Sequence, residues 1–361
     1  MSYLYHGYLQ LPSPMSPDLR RMALFSTIYP GASPVDRTGT IVFPTGMKSI
    51  FPMPKMRPFR KSYEELCEQR ALELLKRAED LDVPIYVAWS GGIDSTCVLA
   101  CLLKHCKEKD RITVLMSEES VTEYPLFFMR YVRHRLRRQE ARTCFDLLAT
   151  KSLLVTGEHN DQLFGSDLTE DAISIFGIDV LLGRLQWELI TSLYEIKLDG
   201  DRETALFFSE LFSRFLETAP IALKTNFDML WWINFALKWQ CVNMRKLIFS
   251  TTPIARDHLQ IFYQPFFGTE EFQLWSMNNQ DQRIRRDWRS YKWPAKDVIY
   301  GFTKDADYRD RKTKEKSLGV IMRDRPYHVF LDENYTFHQK LDWYQPVNDL
   351  QPNVREMRGA A

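Results

Sequence analysis

Residues 83–103 run from a strand pattern through a glycine loop into a helix pattern, with no spacer between them. Val83-Pro84-Ile85-Tyr86-Val87-Ala88-Trp89 is a short apolar run, the mark of a strand buried on both faces. Ser90-Gly91-Gly92-Ile93-Asp94-Ser95-Thr96 follows at once, and Cys97-Val98-Leu99-Ala100-Cys101-Leu102-Leu103 reads as helix. This order puts the loop at the carboxyl end of a sheet strand, where open α/β sheets bind ligands. The glycines let the backbone approach an anion closely. The helix N-terminus offers N–H groups and a positive field, and Ser90, Ser95 and Thr96 add hydroxyls. Asp94 is unsuited to gripping phosphate and suits a Mg²⁺ ligand, with the ion bridging phosphate oxygens. A Gly-Gly turn with a helix cap is the plainer reading, and the order of elements weighs against it. The loop does not end in Gly-Lys-Ser/Thr, so it is not a Walker A motif, and γ-phosphate transfer is disfavoured.

The flanking sequence extends this unit. Periodic apolar residues predict a helix over 62–81, with Ser62 and Glu65 as its capping box. Further strands are expected at Ile112–Met116 and Ser152–Thr156, with a helix over 125–139 between them. Alternating strand and helix imply a parallel sheet with right-handed crossovers. The third strand runs into Gly157-Glu158-His159-Asn160-Asp161-Gln162-Leu163-Phe164-Gly165, which places Asp161 at the same sheet edge as Asp94. Two carboxylates converging there suit Mg²⁺ held against a pyrophosphate; taken alone, the second loop also reads as a solvated turn. Residues 1–60 are rich in Pro and Gly and read as an irregular arm with a short strand or hairpin. Residues 61–175 form the expected α/β unit, and 176–361 a mostly helical domain with a charged, less regular tail from Arg283. Trp231, Trp232, Phe235 and Trp239 are expected to pack as core rather than stack on bases.

Composition excludes little. The chain has 361 residues and a net charge of +1, which argues neither for nor against a polyanionic partner. No run of about 18 apolar residues marks a membrane span, and the start lacks a signal peptide's blocks. The six cysteines form no CxxC pair, so a reducing cytoplasm is expected, with the thiols packing as small hydrophobes and no structural zinc or iron–sulfur cluster. The histidines show no metal-ligand spacing.

Ser90-Gly91-Gly92-Ile93-Asp94-Ser95 resembles the S-G-G-x-D-S of the synthetase domain of asparagine synthetases, within the N-type ATP pyrophosphatases or PP-loop family (adenine nucleotide alpha hydrolase-like). Residues 157–165 are similar to that family's G-E-G-[AS]-D-E-[LVI]-F-G-G, and Gln264-Pro265-Phe266-Phe267, more faintly, to its R-x-P-F-L-D. The resemblance implies an AMP- and pyrophosphate-forming ligase: ATP activates a carboxylate as an acyl-adenylate, and an amine or ammonia displaces AMP. It implies Asp94 and Asp161 on Mg²⁺–pyrophosphate, with Gly157 and Glu158 beside them. It implies adenine against the backbone of Leu115, Met116 and Ser117, and a lysine, Lys314 or Lys316, at the leaving group. The basic run holding those lysines fits a solvated face equally well. Some positions depart from the pattern. His159 replaces a glycine, Gln162 a glutamate and Ser166 a glycine; Phe262 or Gln264 stands for the arginine and Gly268 for the aspartate. These changes put aspartate in doubt as substrate. Ser2 stands where glutamine-hydrolysing members carry cysteine, and roughly 60 preceding residues leave no room for a glutaminase domain, so ammonia, another amine or a partner's product is the expected nitrogen donor.

Arg130, Arg133, His134, Arg135, Arg137, Arg138 and Arg142 form a basic segment, read as a charged surface helix or as a contact for nucleic acid or a phosphorylated substrate. Glu119 and Glu123 face either a substrate amine or the cap of a following helix. Two other readings stay open: a nucleotide- or nucleobase-modifying enzyme that adenylylates a base carbonyl, and a non-catalytic nucleotide-binding protein.

Overall fold

A computed structural model describes residues 4–6, 21, 24–29, 35–41, 49–165, 168–244, 246, 254–314, 329–331 and 337–338. Ser166 and Lys316 lie outside the described residues. The centre is a five-stranded, all-parallel sheet. Its strands are β1 (Ile85–Ala88), β2 (Ile112–Met116), β3 (Arg137–Glu140), β4 (Leu153–Thr156) and β5 (Tyr263–Pro265), in the order β3-β2-β1-β4-β5. Val87 lies level with Val114 on one side and Val155 on the other. β4 is wholly buried and β2 nearly so, as their continuous apolar runs require.

The strand order reverses between β1 and β4. The chain builds outward from β1 through β2 to β3, then returns to β1's other side. Loops after β1 and β4 therefore meet over the sheet edge at this reversal point, and the crevice beside it is the place where such sheets take ligands.

Helix α1 (Tyr63–Asp80) carries the expected capping box: Ser62 Oγ accepts from Glu65 N at 3.1 Å, and Glu65 Oε2 from Ser62 N at 2.6 Å. α1 packs on α2 (Ile93–His105), whose residues Cys97–Leu102 are buried. α3 (Glu118–Glu123) follows β2, and α4 (Asn160–Phe164) follows β4.

Two expectations are corrected. The segment 125–139 is not one helix. It breaks into Pro125–Phe127, a π-turn at Phe128–Val132 and the edge strand β3, every residue of which is exposed. Arginines crowded around a helix repel one another on every face, and an extended edge spreads them. The boundary at 175 also fails to divide the sheet, because β5 comes from beyond it and pairs Gln264 with Val155. Three residues, one of them proline, are too short a run to stand out from the helical pattern around them.

Between β4 and β5 the chain is helical, including α5 (Trp187–Lys197), α6 (Arg202–Leu216) and α7 (Asn226–Leu237). Every residue of α7 is buried, and Trp231, Trp232, Phe235 and Trp239 are core as expected. After β5, α8 (Glu270–Asn278) packs on α1 and α4, and α9 (Trp293–Thr303) lies along α2. α10 (Ala306–Arg311) closes against α9. The region after Arg283 is thus more regular than its charge suggested. Leu4–His6 pairs antiparallel with Val329–Leu331, which pairs with Phe337–His338, a separate small sheet.

Trp232 is fully buried, stacks on Phe215 at 5.2 Å and donates its indole N–H to Phe215 O at 3.1 Å. Trp232→Ala should cost about 3–5 kcal/mol, read as a lowered urea midpoint.

Candidate functional site

The loop after β1 is closely packed. Gly91 has φ +85°, and a Cβ there would sit 2.5 Å from Ser120 O and 2.8 Å from Glu123 Cβ. Glycine is needed on both counts, conformation and close approach. Ser95 Oγ accepts from Ser90 N at 3.0 Å and lies 3.0 Å from Ser90 Oγ, which accepts from Gly92 N at 3.3 Å. Thr96 differs from its serine neighbours. It is wholly buried, and its hydroxyl oxygen accepts from the Trp89 indole at 3.0 Å, so it braces strand to helix rather than facing the crevice.

The two loops touch. A Cβ on Gly157 would lie 2.9 Å from Ser95 N and 3.0 Å from the Asp94 carbonyl carbon. Asp94 and Asp161 converge as expected, and between them sits a residue that sequence reasoning missed. Lys292 Nζ lies 2.7 Å from both oxygens of Asp94 and 2.5 Å from Asp161 Oδ1. Its side chain is fully buried, whereas Asp94 and Asp161 keep 24% and 27% of theirs exposed, so a solute can reach the carboxylates from the crevice. Lys292 stands at φ 58° just before α9, and its N–H donates to Arg283 O at 3.1 Å. Its only sequence mark is a lysine beside the apolar Trp293-Pro294-Ala295 start of a helix. Asn160 Nδ2 adds a bond to Asp94 Oδ1 at 2.7 Å, and its own Oδ1 accepts from Tyr63 OH at 2.8 Å.

Lys314, one of the two lysines expected at the leaving group, reaches the site: its Nζ is 3.4 Å from Asp161 Oδ2. The segment that carries it is pinned by Lys296, which is almost wholly buried and donates to Lys312 O at 2.9 Å and to Arg289 O. Lys312 Nζ lies 3.2 Å from Glu123 Oε1, and both side chains are buried. Of the two open glutamates, Glu123 thus backs the glycine loop, and Glu119 is exposed.

Burial pushes the Asp94 carboxyl up; Lys292 opposes this and Asp161 adds to it, leaving a net rise. Burial pushes Asp161 up as well, but Lys292, Lys314 and Lys238 outweigh it and hold the carboxyl well below the usual range. The pair therefore separates into a strongly ionised member and one readier to take a proton.

The oxygen donors fit a hard cation such as Mg²⁺. Two carboxylates already bracket one positive charge, and their exposed faces are where Asp94 and Asp161 would hold the ion. A softer donor set lies between α1 and α2: Cys67, Cys97 and Cys101 are buried, with sulfurs within 4.8 Å of one another. Sulfur suits soft metals and not Mg²⁺. These thiols are remote in sequence between α1 and α2, so their meeting was not legible from spacing.

Other expected positions take structural or edge roles. Glu158 pairs with Lys246 at 2.6 Å in a buried contact and not with the glycine loop. Leu115 O accepts from Trp89 N at 2.9 Å, and Met116 and Ser117 end β2 at the crevice edge. His159 has φ 77°, a conformation that explains glycine in the resembled motif, and stacks on Trp239 at 4.0 Å. A Cβ on Gly268 would lie 3.2 Å from His159 Cδ2. Two departures from the family pattern therefore face each other, the added ring at 159 against the side chain lost at 268. Gln264 takes Arg70 Nη2 at 2.8 Å and is buried, and Gln162 is buried beside Asn234.

Gly91→Ala should lower the urea midpoint, because the added carbon meets Ser120 O at 2.5 Å in a backbone conformation that favours glycine. Lys292→Met leaves two carboxylates facing each other without their cation. It should cost about 3–5 kcal/mol at neutral pH, a loss that shrinks on acidification as the carboxyls take up protons. Burial lowers the Lys296 ammonium from 10.5 to about 8, with Asp287 opposing. The unfolded chain binds the extra proton between those values, so this group makes stability rise with pH from about 8 to 10.5. Urea midpoints across that window should lose this slope in Lys296→Met.

No protein-family model matches this chain, and no curated protein matches it.

Proposed function

We propose that this protein is an ATP- and Mg²⁺-dependent ligase that adenylylates a substrate carboxylate, releases pyrophosphate and passes the acyl group to an amine or ammonia. The observation that carries this reading is the meeting of Asp94, Asp161, Lys292 and Lys314 at the reversal point of a parallel sheet, beside a glycine loop that opens a helix N-terminus.

The N–H groups around Gly91 and Gly92 and the N-terminus of α2 receive the phosphates. Mg²⁺ held by Asp94 and Asp161 would supply charge neutralisation on the β- and γ-phosphates. A substrate carboxylate oxygen attacks the α-phosphorus, the bond from that phosphorus to the bridging oxygen breaks, and pyrophosphate leaves. Lys314 and Lys292 stabilise the charge that builds on the departing group. Lys292 can do so only by loosening its hold on the two carboxylates. An amine nitrogen then attacks the acyl carbon, the carbon–oxygen bond to AMP breaks, and the nitrogen gives up a proton. Most of the rate comes from positioning. A second reading, adenylylation of a base carbonyl, is favoured by the exposed arginines on and before β3.

With pooled carboxylates, amino acids, nucleosides and nucleic acids, ATP should yield AMP and pyrophosphate in equal amounts. Asp94→Ala should lower this at least about 100-fold, the scale of removing one charge-stabilising group. ADP and phosphate as products would sink the proposal.

A further inference from the structure

The exposed face of β3 and the turn before it carry a charge that the ligase chemistry does not use. Residues 130–142 hold six arginines, one histidine and one glutamate, and no lysine or aspartate. The whole chain is only +1, so the remainder is net acidic and the positive charge is concentrated here. Arg130, Arg133, His134, Arg135, Arg137, Arg138 and Arg142 are all exposed. Among the described residues, no carboxylate lies within 4.0 Å of Arg130, Arg133, Arg135, Arg137 or Arg138. Surface arginines are ordinarily interspersed with acids; these five repel one another unless an anion covers them.

The geometry is that of a track. Arg137 and Arg138 lie on an extended edge strand, and Arg142 follows its carboxyl end. Arg130, Arg133 and Arg135 lead into its start, where Met129 and Tyr131 help line an open depression. Met129 is 50% exposed, an apolar side chain set among the guanidinium groups. β3 is two strands from β1, about 10 Å at ordinary strand spacing. Glu140 lies level with Met116, so the track ends at the crevice edge of the sheet.

We propose that this arginine track binds the phosphodiester backbone of a single-stranded nucleic acid and leads it toward the crevice. Arginine rather than lysine suits phosphate, because its planar fork donates two parallel hydrogen bonds. A duplex is a stiff rod, whereas a single strand can follow a short edge and turn into the crevice. Binding rests on the track alone; only its service to catalysis rests on the second reading, adenylylation of a base carbonyl.

The test is fluorescence anisotropy of the full chain with labelled 20-mer single strands of RNA and DNA, the matching duplexes, poly-glutamate and anionic lipid vesicles, without ATP, from 50 to 300 mM salt. Single strands should bind tightest, with affinity falling steeply with salt. The triple variant Arg133→Glu, Arg135→Glu, Arg137→Glu should weaken binding at least about tenfold and flatten the log–log salt slope by about 2, near 0.7 per lost phosphate contact. Circular dichroism and ATP affinity should be unchanged. The matching Arg→Lys triple variant should keep most of the slope, since it keeps the charge. Binding that the glutamate variant leaves intact would overturn the proposal, as would poly-glutamate, vesicles or duplex binding as tightly as the single strand. In a parallel assay with ATP and Mg²⁺, bound single strands that release no pyrophosphate would leave the track standing and remove only its service to catalysis.

Discussion

One buried ammonium holds the crevice together. Lys292 is fully enclosed and touches three oxygens of two carboxylates that belong to loops far apart in sequence. A charge taken out of water is costly unless it is paired and bonded, and losing one partner costs more than the pair itself contributes. The arrangement therefore fixes the glycine loop, the acidic loop and the start of α9 relative to one another. Two carboxylates drawn this close without a cation would repel.

The same contact orients the two carboxylates. Asp94 and Asp161 are anchored from within and open from without, which orients their free faces toward the crevice. Further hydrogen bonds hold them in place. Tyr63 holds Asn160, Asn160 holds Asp94, and Lys296 pins the strand of chain that brings Lys314 to Asp161. Close packing leaves little slack: Gly91 and Gly157 sit where even one added carbon meets backbone.

Two positions that differ from the resembled motifs pack against each other. His159 fills space that Gly268 vacates, and Gln264 is buried on Arg70 instead of presenting a cation. The loop after β5 therefore packs on the acidic loop through an imidazole ring.

The glycine loop, its strand and helix, and the convergence of Asp94 with Asp161 were legible in the sequence. They depend on local order and on the parallel sheet, in which every strand ends at the same edge. The capping box at Ser62 was legible for the same reason, being settled within one helical turn. Lys292, the three thiols between α1 and α2, and β5 were decided only by tertiary structure. Lys292 lies 131 residues from Asp161, and a single lysine before a helix has no periodicity to betray it. Three residues of β5 gain their identity from pairing with β4, and the arginines of 130–142 from lying on an open sheet edge. Local propensity writes itself into a short stretch of sequence. A buried charge finds its partners only when distant segments are packed together, where the cost of leaving it unpaired selects the arrangement.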